Sequence, residues 1–316
     1  MSDISLVPGS GGPLTVDDLK GNPRRVRTER TMRVLLFGAA LTSIVISALI
    51  ILSLVGEAWT FISQVEFASL WTDGWFPRRG QYDIKTIVVG SLLVSAVAMV
   101  VAVPLGLGAA IYLSEYASPK VRNVLKPTLE ILAGIPSVVL GFFALSFIAP
   151  EVVQRFFTDA TQFSMAAAGI GVGILVVPLI ASISEDAMRS VPMALREASY
   201  GMGARKITTV VRVVIPAAVS GLVASMIVGL SRAIGETMVV FIAAGATGGS
   251  LFSVDIFGPG QTMTAAMASQ AAGTDQVRGA GLTFQSLFFV GFLLFCITMF
   301  LNIAADRFVR RVRQSY

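Results

Sequence analysis

The sequence predicts an all-α integral membrane protein with six transmembrane helices and cytoplasmic N- and C-termini. Three observations carry this expectation. Of the 316 residues, 54% are apolar and only 14% charged, against about 25% charged in an ordinary soluble domain; the mean hydropathy is +0.77. Six apolar runs, near 33–56, 86–113, 129–149, 165–185, 216–245 and 283–306, reach the roughly 20 residues that a bilayer requires. Basic residues are also asymmetric. If the N-terminus is cytoplasmic, that side carries 18 Lys and Arg, in Lys20–Arg33, Lys120–Lys126, Arg189–Arg212 and Arg307–Arg313. The other side carries five (Arg78, Arg79, Lys85, Arg155, Arg278), and Arg232 falls inside a span. Positive charge gathers on the cytoplasmic side of membrane proteins, which sets this orientation.

The same asymmetry accounts for the net charge of +5, so no nucleic-acid partner is called for; the partner implied is the lipid bilayer. A single Cys (Cys296) and no His exclude a disulfide framework and a His/Cys metal site.

Residues 1–30 are polar, with Gly9, Gly11, Gly12 and four Arg, and are expected to be a flexible cytoplasmic tail. The apolar run that follows begins too late and is too long for a signal peptide, so it reads as an uncleaved anchor. Residues 31–85 comprise this first span and an external loop rich in aromatics: Trp59, Phe61, Phe67, Trp71, Trp75, Phe76 and Tyr82. Trp and Tyr at span ends are ordinarily interfacial anchors; docking of an external partner is the sharper alternative. Span two contains Pro104, Gly106 and Gly108, and span four Gly169, Gly171 and Gly173, small residues that let membrane helices approach closely. Span three is broken near its start by Leu132-Ala133-Gly134-Ile135-Pro136-Ser137. Such a break is tolerated where the freed backbone lines a cavity or is buried in protein; Pro136 and Ser137 are therefore either pathway residues or a plain kink. Glu130, Glu185 and Asp186, at span ends, read as solvated boundary residues. Residues 246–282 form an outer loop whose Ala/Met/Ser stretch, Met263–Ala272, suits a short helix at the outer mouth. Residues 307–316 form a basic cytoplasmic tail.

Two features carry chemistry. The first is the loop 186–215, with the polar interruption Arg196–Pro216 set between two apolar runs. Short helical segments flanking a glycine, closed by a proline that restarts a span, suit a helix docking into a groove on a partner. The second lies in span five, Ser231-Arg232-Ala233-Ile234-Gly235-Glu236-Thr237-Met238. Arg232 and Glu236 are four apart, hence on one face of a continuous helix. A central Arg costs from about 2.5–3.5 kcal/mol upwards. The pair is either an internal salt bridge that permits insertion or a cationic site for an oxyanion, whose geometry a guanidinium's paired donors match. Glu236 would then orient the Arg and offset its charge in the absence of the anion. Arg232 lies 16 residues beyond Pro216, about 24 Å at 1.5 Å per residue, which puts it past the midplane unless the helix starts below the membrane.

Glu197, Ala198, Gly203 and Pro216 match, at the right spacing, the EAA signature of ABC importer permeases; Ser199, Val213 and Ile215 are conservative departures. The span-five segment, together with Ala102–Tyr116 and Ile135–Phe142, resembles the PstC-type permeases of phosphate-specific ABC importers, over about Trp71 to Arg307. PstA-type sister subunits share the Arg-Ala-x-Gly-Glu-Thr core. The resemblance implies a type I ABC importer permease fold, with residues 86–306 as the permease domain, in the plasma (inner) membrane of a bacterium. It implies a heterodimer with a PstA-type sister, a PstB-type ATPase dimer and an external PstS-type phosphate-binding protein, with inorganic phosphate as cargo. Arg232 and Glu236 would line the phosphate pathway, while Glu197, Ala198, Ser199, Gly203 and Pro216 belong to the loop set against the ATPase. The chain has no G-x-x-x-x-G-K-[ST] phosphate loop and lacks even a Gly-Lys pair, so ATP hydrolysis belongs to another chain. No cofactor or metal is expected here; ATP and Mg would sit on the partner ATPase. The alternatives are a sulfate or molybdate permease, a PstA-type subunit, a proton-coupled carrier with Glu236 as proton relay, and a phosphate-sensing scaffold.

Overall fold

The computed structural model describes residues 23–245, 248–273 and 281–312, and divides into two units, residues 1–53 and 54–316. In the first, the described part is the opening stretch of helix α1 (Pro23–Gln64). The last eight residues expected in the tail, 23–30, are thus helical, and residues 1–22 lie outside the described residues.

Among the described residues, six helical segments are long and apolar enough to cross a membrane: Arg27–Gln64, Ile84–Tyr116, Ser137–Gln154, Met165–Arg189, Lys206–Ile234 and Thr283–Arg311. Six spans were expected, and two of them change shape. The third does not begin at residue 129. Helix α3 (Pro119–Leu132) is a separate amphipathic helix, and the Gly134–Pro136 break precedes α4 (Ser137–Phe143), which continues as π-helix through Gln154. The fifth is not one helix to residue 245. It runs from α7 (Lys206–Thr209) through a π-turn at Val210–Val214 into α8 (Ile215–Ile234), stops, and resumes as α9 (Met238–Ala243). Pro216 therefore does not restart a helix out of a loop. It lacks an N–H, so the carbonyl four residues earlier has no helical donor, which suits the π-turn just before it.

Away from the spans the chain is not wholly helical. Strands β1 (Gly74–Phe76), β2 (Gln81–Tyr82) and β3 (Ser250–Leu251) form an antiparallel sheet in the order β2-β1-β3, with Trp75 opposite Tyr82 and Ser250. Trp75 and Tyr82, read as anchors, instead join Phe61 in a core: all three are buried, with Phe61 edge-on to Tyr82 at 5.0 Å and stacked on Phe289 at 4.9 Å. Trp59, Phe67 and Trp71 remain exposed, as anchors would be.

The main core lies between α2 (Ile84–Ile111) and α5 (Met165–Arg189). Small residues bring these helices together, as expected: a Cβ on Gly106 would meet Ile180 Cγ2 at 2.8 Å, and one on Gly173 would meet Ala98 O at 2.9 Å. Without water to exclude, such close van der Waals packing is what holds membrane helices together. Gly108 has nothing within 4 Å and has no part in it. Helix α8 joins through Gly229, whose Cβ would touch Ile180 and Val176, and through a 2.7 Å hydrogen bond between Ser184 and Ser225.

Glu185 is not a solvated boundary residue. It is fully buried and accepts from Arg122 Nε at 2.9 Å and Lys126 Nζ at 2.7 Å, both on α3, while exposed Asp186 accepts from Lys126 at 2.6 Å. Burial lowers the Lys126 pKa, but hydrogen bonds and charge attraction to Asp186 and Glu185 more than offset this, holding it above the ordinary lysine value. A raised lysine pKa stabilises fully below the unfolded value and is lost as pH rises through the folded one, so this junction holds throughout the neutral range.

Gly90 faces the backbone of Gln261, and a Cβ there would collide with the Gln261 carbonyl. Gly90→Ala is expected to cost about 1–3 kcal/mol through overpacking and to lower the thermal unfolding midpoint in detergent. Gly38→Ala, with open space around it, should not; equal midpoints would refute the close approach.

Candidate functional site

The candidate pathway site forms where span five breaks. Helix α8 ends at Ile234, with Arg232 in its last turn, and Glu236 lies in the three-residue interruption before α9. A cation at a helix C-terminus is favoured by the helix dipole. Arg232 Nη1 and Glu236 Oε2 are 2.8 Å apart, so the expected pair forms, across the end of a helix and not along one face. In a continuous helix, Arg four residues before Glu is the weaker order of such a pair; the break in the helix removes that constraint.

Burial splits the pair. Glu236 is 3% exposed and Arg232 49%, so the carboxylate is held inside while about half of the Arg232 side chain remains accessible. A guanidinium has five N–H donors and no acceptor, leaving donors for a second anion beside Glu236. Breaking the helix frees backbone groups, and these find partners. Glu236 N donates to Ala233 O at 3.2 Å, Thr237 Oγ1 to Gly235 O at 3.3 Å, and Thr264 Oγ1 to Glu236 O at 2.8 Å. Thr264 belongs to α10 (Met263–Ala271), the short helix expected in the outer loop. It packs inwards against the break; residues 246–247 and 274–280 of that loop lie outside the described residues.

The depth of the site follows from packing. Gly229 rests on Val176 and Ile180, and Val176 is close to the middle of α5 (Met165–Arg189). Arg232, one turn further along α8, is therefore near the level of the middle of α5. Counting from Pro216 put it past the midplane unless the helix starts below the membrane, and the helix does begin ten residues earlier, at Lys206. Next to it, Ser231 Oγ donates to Asn302 Oδ1 at 3.0 Å on the last helix, α11 (Thr283–Val312). Asn302 was overlooked, although a lone amide in an apolar run is a visible signal. Thr264 had no such signal, since only the fold brings it to Glu236.

Pro136 is exposed and Ser137 half-buried. Their helix α4 meets α9 one turn on, where a Cβ on Gly141 would lie 3.1 Å from Met238 O. The structure thus places this break beside the span-five break without recording a contact of Pro136 or Ser137 with the ion pair. Among the described residues no group of three or more His, Cys, Asp or Glu could hold a metal ion.

The loop expected to dock on a partner consists of α6 (Met193–Gly201), a turn and α7. Gly203 adopts φ +78°, a left-handed conformation natural to glycine. Glu197 and Ala198 are exposed, alongside Met193, Tyr200, Met202 and Ile207, giving an apolar face rimmed by charge. Ser199 points the other way. It is buried and hydrogen-bonded to Thr209 Oγ1 at 2.9 Å, and so staples α6 to α7. Pro216 is exposed at the start of α8.

Residues 102–314 match the family described as binding-protein-dependent transport system inner membrane component. The chain is 32% identical over 289 residues to the phosphate transport system permease protein PstC of Mesorhizobium japonicum, covering 86% of each chain. It is 34% identical over 259 residues to PstC 1 of Mycobacterium tuberculosis, covering 76% of this chain and 75% of that one. The probable ABC transporter permease protein YqgH of Bacillus subtilis is 37% identical over 188 residues, and the match spans 60% of its length. Among solved structures, a chain of a bacterial alginate ABC transporter bound to its periplasmic protein superposes with TM-score 0.66 at 13% identity, over 92% of this chain and 98% of that one. A chain of the MetNI methionine ABC transporter gives 0.54 at 22% identity, over 71% and 94%. At these identities the likeness is one of fold.

Arg232→Leu leaves the buried Glu236 without its counter-charge, and an unpaired buried charge is costly. It should therefore lower the unfolding midpoint in detergent more than the double variant Arg232→Leu/Glu236→Leu does. An equal or larger loss in the double variant would contradict the pairing.

Proposed function

The chain belongs to the binding-protein-dependent transport system inner membrane component family, and from that premise we propose that it forms half of the phosphate pathway of an ATP-driven importer. It is a multi-pass inner-membrane protein and a non-catalytic permease subunit of an ABC transporter, and it works with ATPase and binding-protein partners. The finer assignment is a PstA-type sister, a PstB-type ATPase carrying ATP and Mg, and a PstS-type protein delivering phosphate from outside. Both chain termini and the α6–α7 loop are cytoplasmic in this reading, as the basic asymmetry indicates. The relatives named for phosphate transport support the cargo.

One observation carries the mechanism: a half-exposed Arg232 near mid-span, held from behind by the buried Glu236. A phosphate oxyanion would take the outward donors of the fork, while Glu236 keeps the guanidinium oriented and moderates its attraction, so that the anion can leave. The discontinuous helix belongs to the same design. Substrate sites in membrane transporters are often built at broken helices near the midplane, where irregular backbone is tolerated if it lines a cavity. At the other end, the exposed face of α6, with Glu197 and Ala198 beside Tyr200 and Met202, would enter a groove on the ATPase, and Gly203 allows the chain to turn there.

Reconstitution with candidate sister, ATPase and binding proteins tests this reading. Phosphate should stimulate ATP hydrolysis, and sulfate and molybdate should compete poorly; equal competition would reassign the cargo to another oxyanion. Arg232→Gln should lower phosphate uptake at least about tenfold in an assembled complex, because a hydrogen bond to a charged group contributes about 1.5–3 kcal/mol. Normal uptake would remove Arg232 from the pathway. Gly203→Pro, incompatible with φ +78°, should abolish phosphate-stimulated hydrolysis by disrupting the docking turn, and unchanged stimulation would count against that role.

A further inference from the structure

Arg196, the residue before Glu197 on α6, turns away from the docking face. Its side chain is only 12% exposed. Nη2 donates to Glu115 Oε1 at 2.9 Å and to Met188 O at 2.9 Å, and Nη1 donates to Val191 O at 2.7 Å. Glu115, itself 5% exposed, lies in the π-turn Tyr112–Tyr116 that ends α2, while Met188 is in the last turn of α5 and Val191 lies two residues beyond its end. One guanidinium thus fastens the docking helix to the ends of both core helices.

Stability alone is a weak account of this arrangement. Buried ion pairs often add no more than a well-packed apolar set would, and an apolar cluster already joins these elements through Met188, Val191, Val214, Ala218 and Leu222, with Leu195 of α6 packed on it. Apolar contacts permit sliding. Three directional bonds from a planar fork do not. Beyond the junction, α2 and α5 are interlocked along their length at Gly106, Gly169 and Gly173, and α5 carries Gly229 of α8, one turn from Arg232. The path from α6 to the half-exposed Arg232 is therefore physically continuous.

We propose that Arg196 is a positioning residue that transmits displacement of α6 to the α2–α5 pair through Glu115 and the α5 carbonyls, and so couples partner docking to the pathway. The proposal rests on the importer reading, but it can fail separately from it. Two readouts test it in Arg196→Gln, Glu115→Gln, the double variant and Arg196→Lys. Hydrogen exchange of residues 193–203 in the purified permease needs no transport. It should speed up at least about fivefold in either single Gln variant. The double variant should be no worse than Arg196→Gln alone, as expected of residues acting as a unit, and Arg196→Lys should recover part of the loss. In reconstituted complexes, the ratio of phosphate imported to ATP hydrolysed should fall in the same order. Unchanged exchange in the single variants, or losses that multiply in the double variant, would overturn the proposal. If Arg196→Gln fails to fold, Glu115→Gln, which leaves Arg196 its two carbonyl partners, carries the comparison. Failure of the importer reading would appear differently: the wild-type complex would show no phosphate response, and hydrogen exchange would still judge Arg196.

Discussion

A polar group carried into an apolar span must be answered inside the protein, because hydrocarbon supplies no hydrogen bonds. That constraint organises this fold. Arg232 would be costly near mid-span, so the chain meets it with a buried Glu236 at 2.8 Å. Bringing Glu236 there accompanies a break in span five, and the break needs Thr264 Oγ1 of α10 to bond the Glu236 carbonyl. Helix α10 must therefore turn inwards, and Gly90 leaves room for Gln261 just before it. Smaller polar groups obey the same rule across helix interfaces, as Ser184 does with Ser225 and Ser231 with Asn302.

The spans, the α6–α7 loop and the ion pair were legible in the sequence because each leaves a local mark: an apolar run, a spaced signature, two charges where charge is expensive. What was not legible depends on distant partners. Glu185 sits at the end of an apolar run and read as solvated, yet Arg122 and Lys126, about 60 positions earlier, bury and neutralise it. Trp75 and Tyr82 read as interfacial anchors, but a sheet closed by Ser250 folds them into a core. Ser199 belongs to the signature, and only the return of α7 shows that it faces Thr209. The end of α8 at Ile234 is masked for another reason: apolar residues resume at once in α9 (Met238–Ala243), and hydropathy over a whole span does not register a three-residue interruption.

The two regions proposed to carry function make opposite demands on the helices between them. Near mid-span, discontinuity leaves a cation half-open to an anion. At the docking end, α6 offers exposed apolar residues while Arg196 and Ser199 hold it to the bundle. Between them, α2, α5 and α8 meet through glycines too close for a side chain. Rigid packing there lets a displacement at one end be felt at the other, which looser contacts of the same area would absorb.

The central claim is that Arg232 stands on a water-accessible anion path. Thiol accessibility tests it most directly, using Arg232→Cys in a Cys296→Ser background within the assembled transporter. A membrane-impermeant, negatively charged thiol reagent should modify the introduced thiol during ATP turnover, and phosphate should slow that reaction where sulfate does not. Modification by apolar reagents alone, with no effect of phosphate, would mean that Arg232 faces lipid or sealed protein, and that its pairing with Glu236 serves only to bury charge.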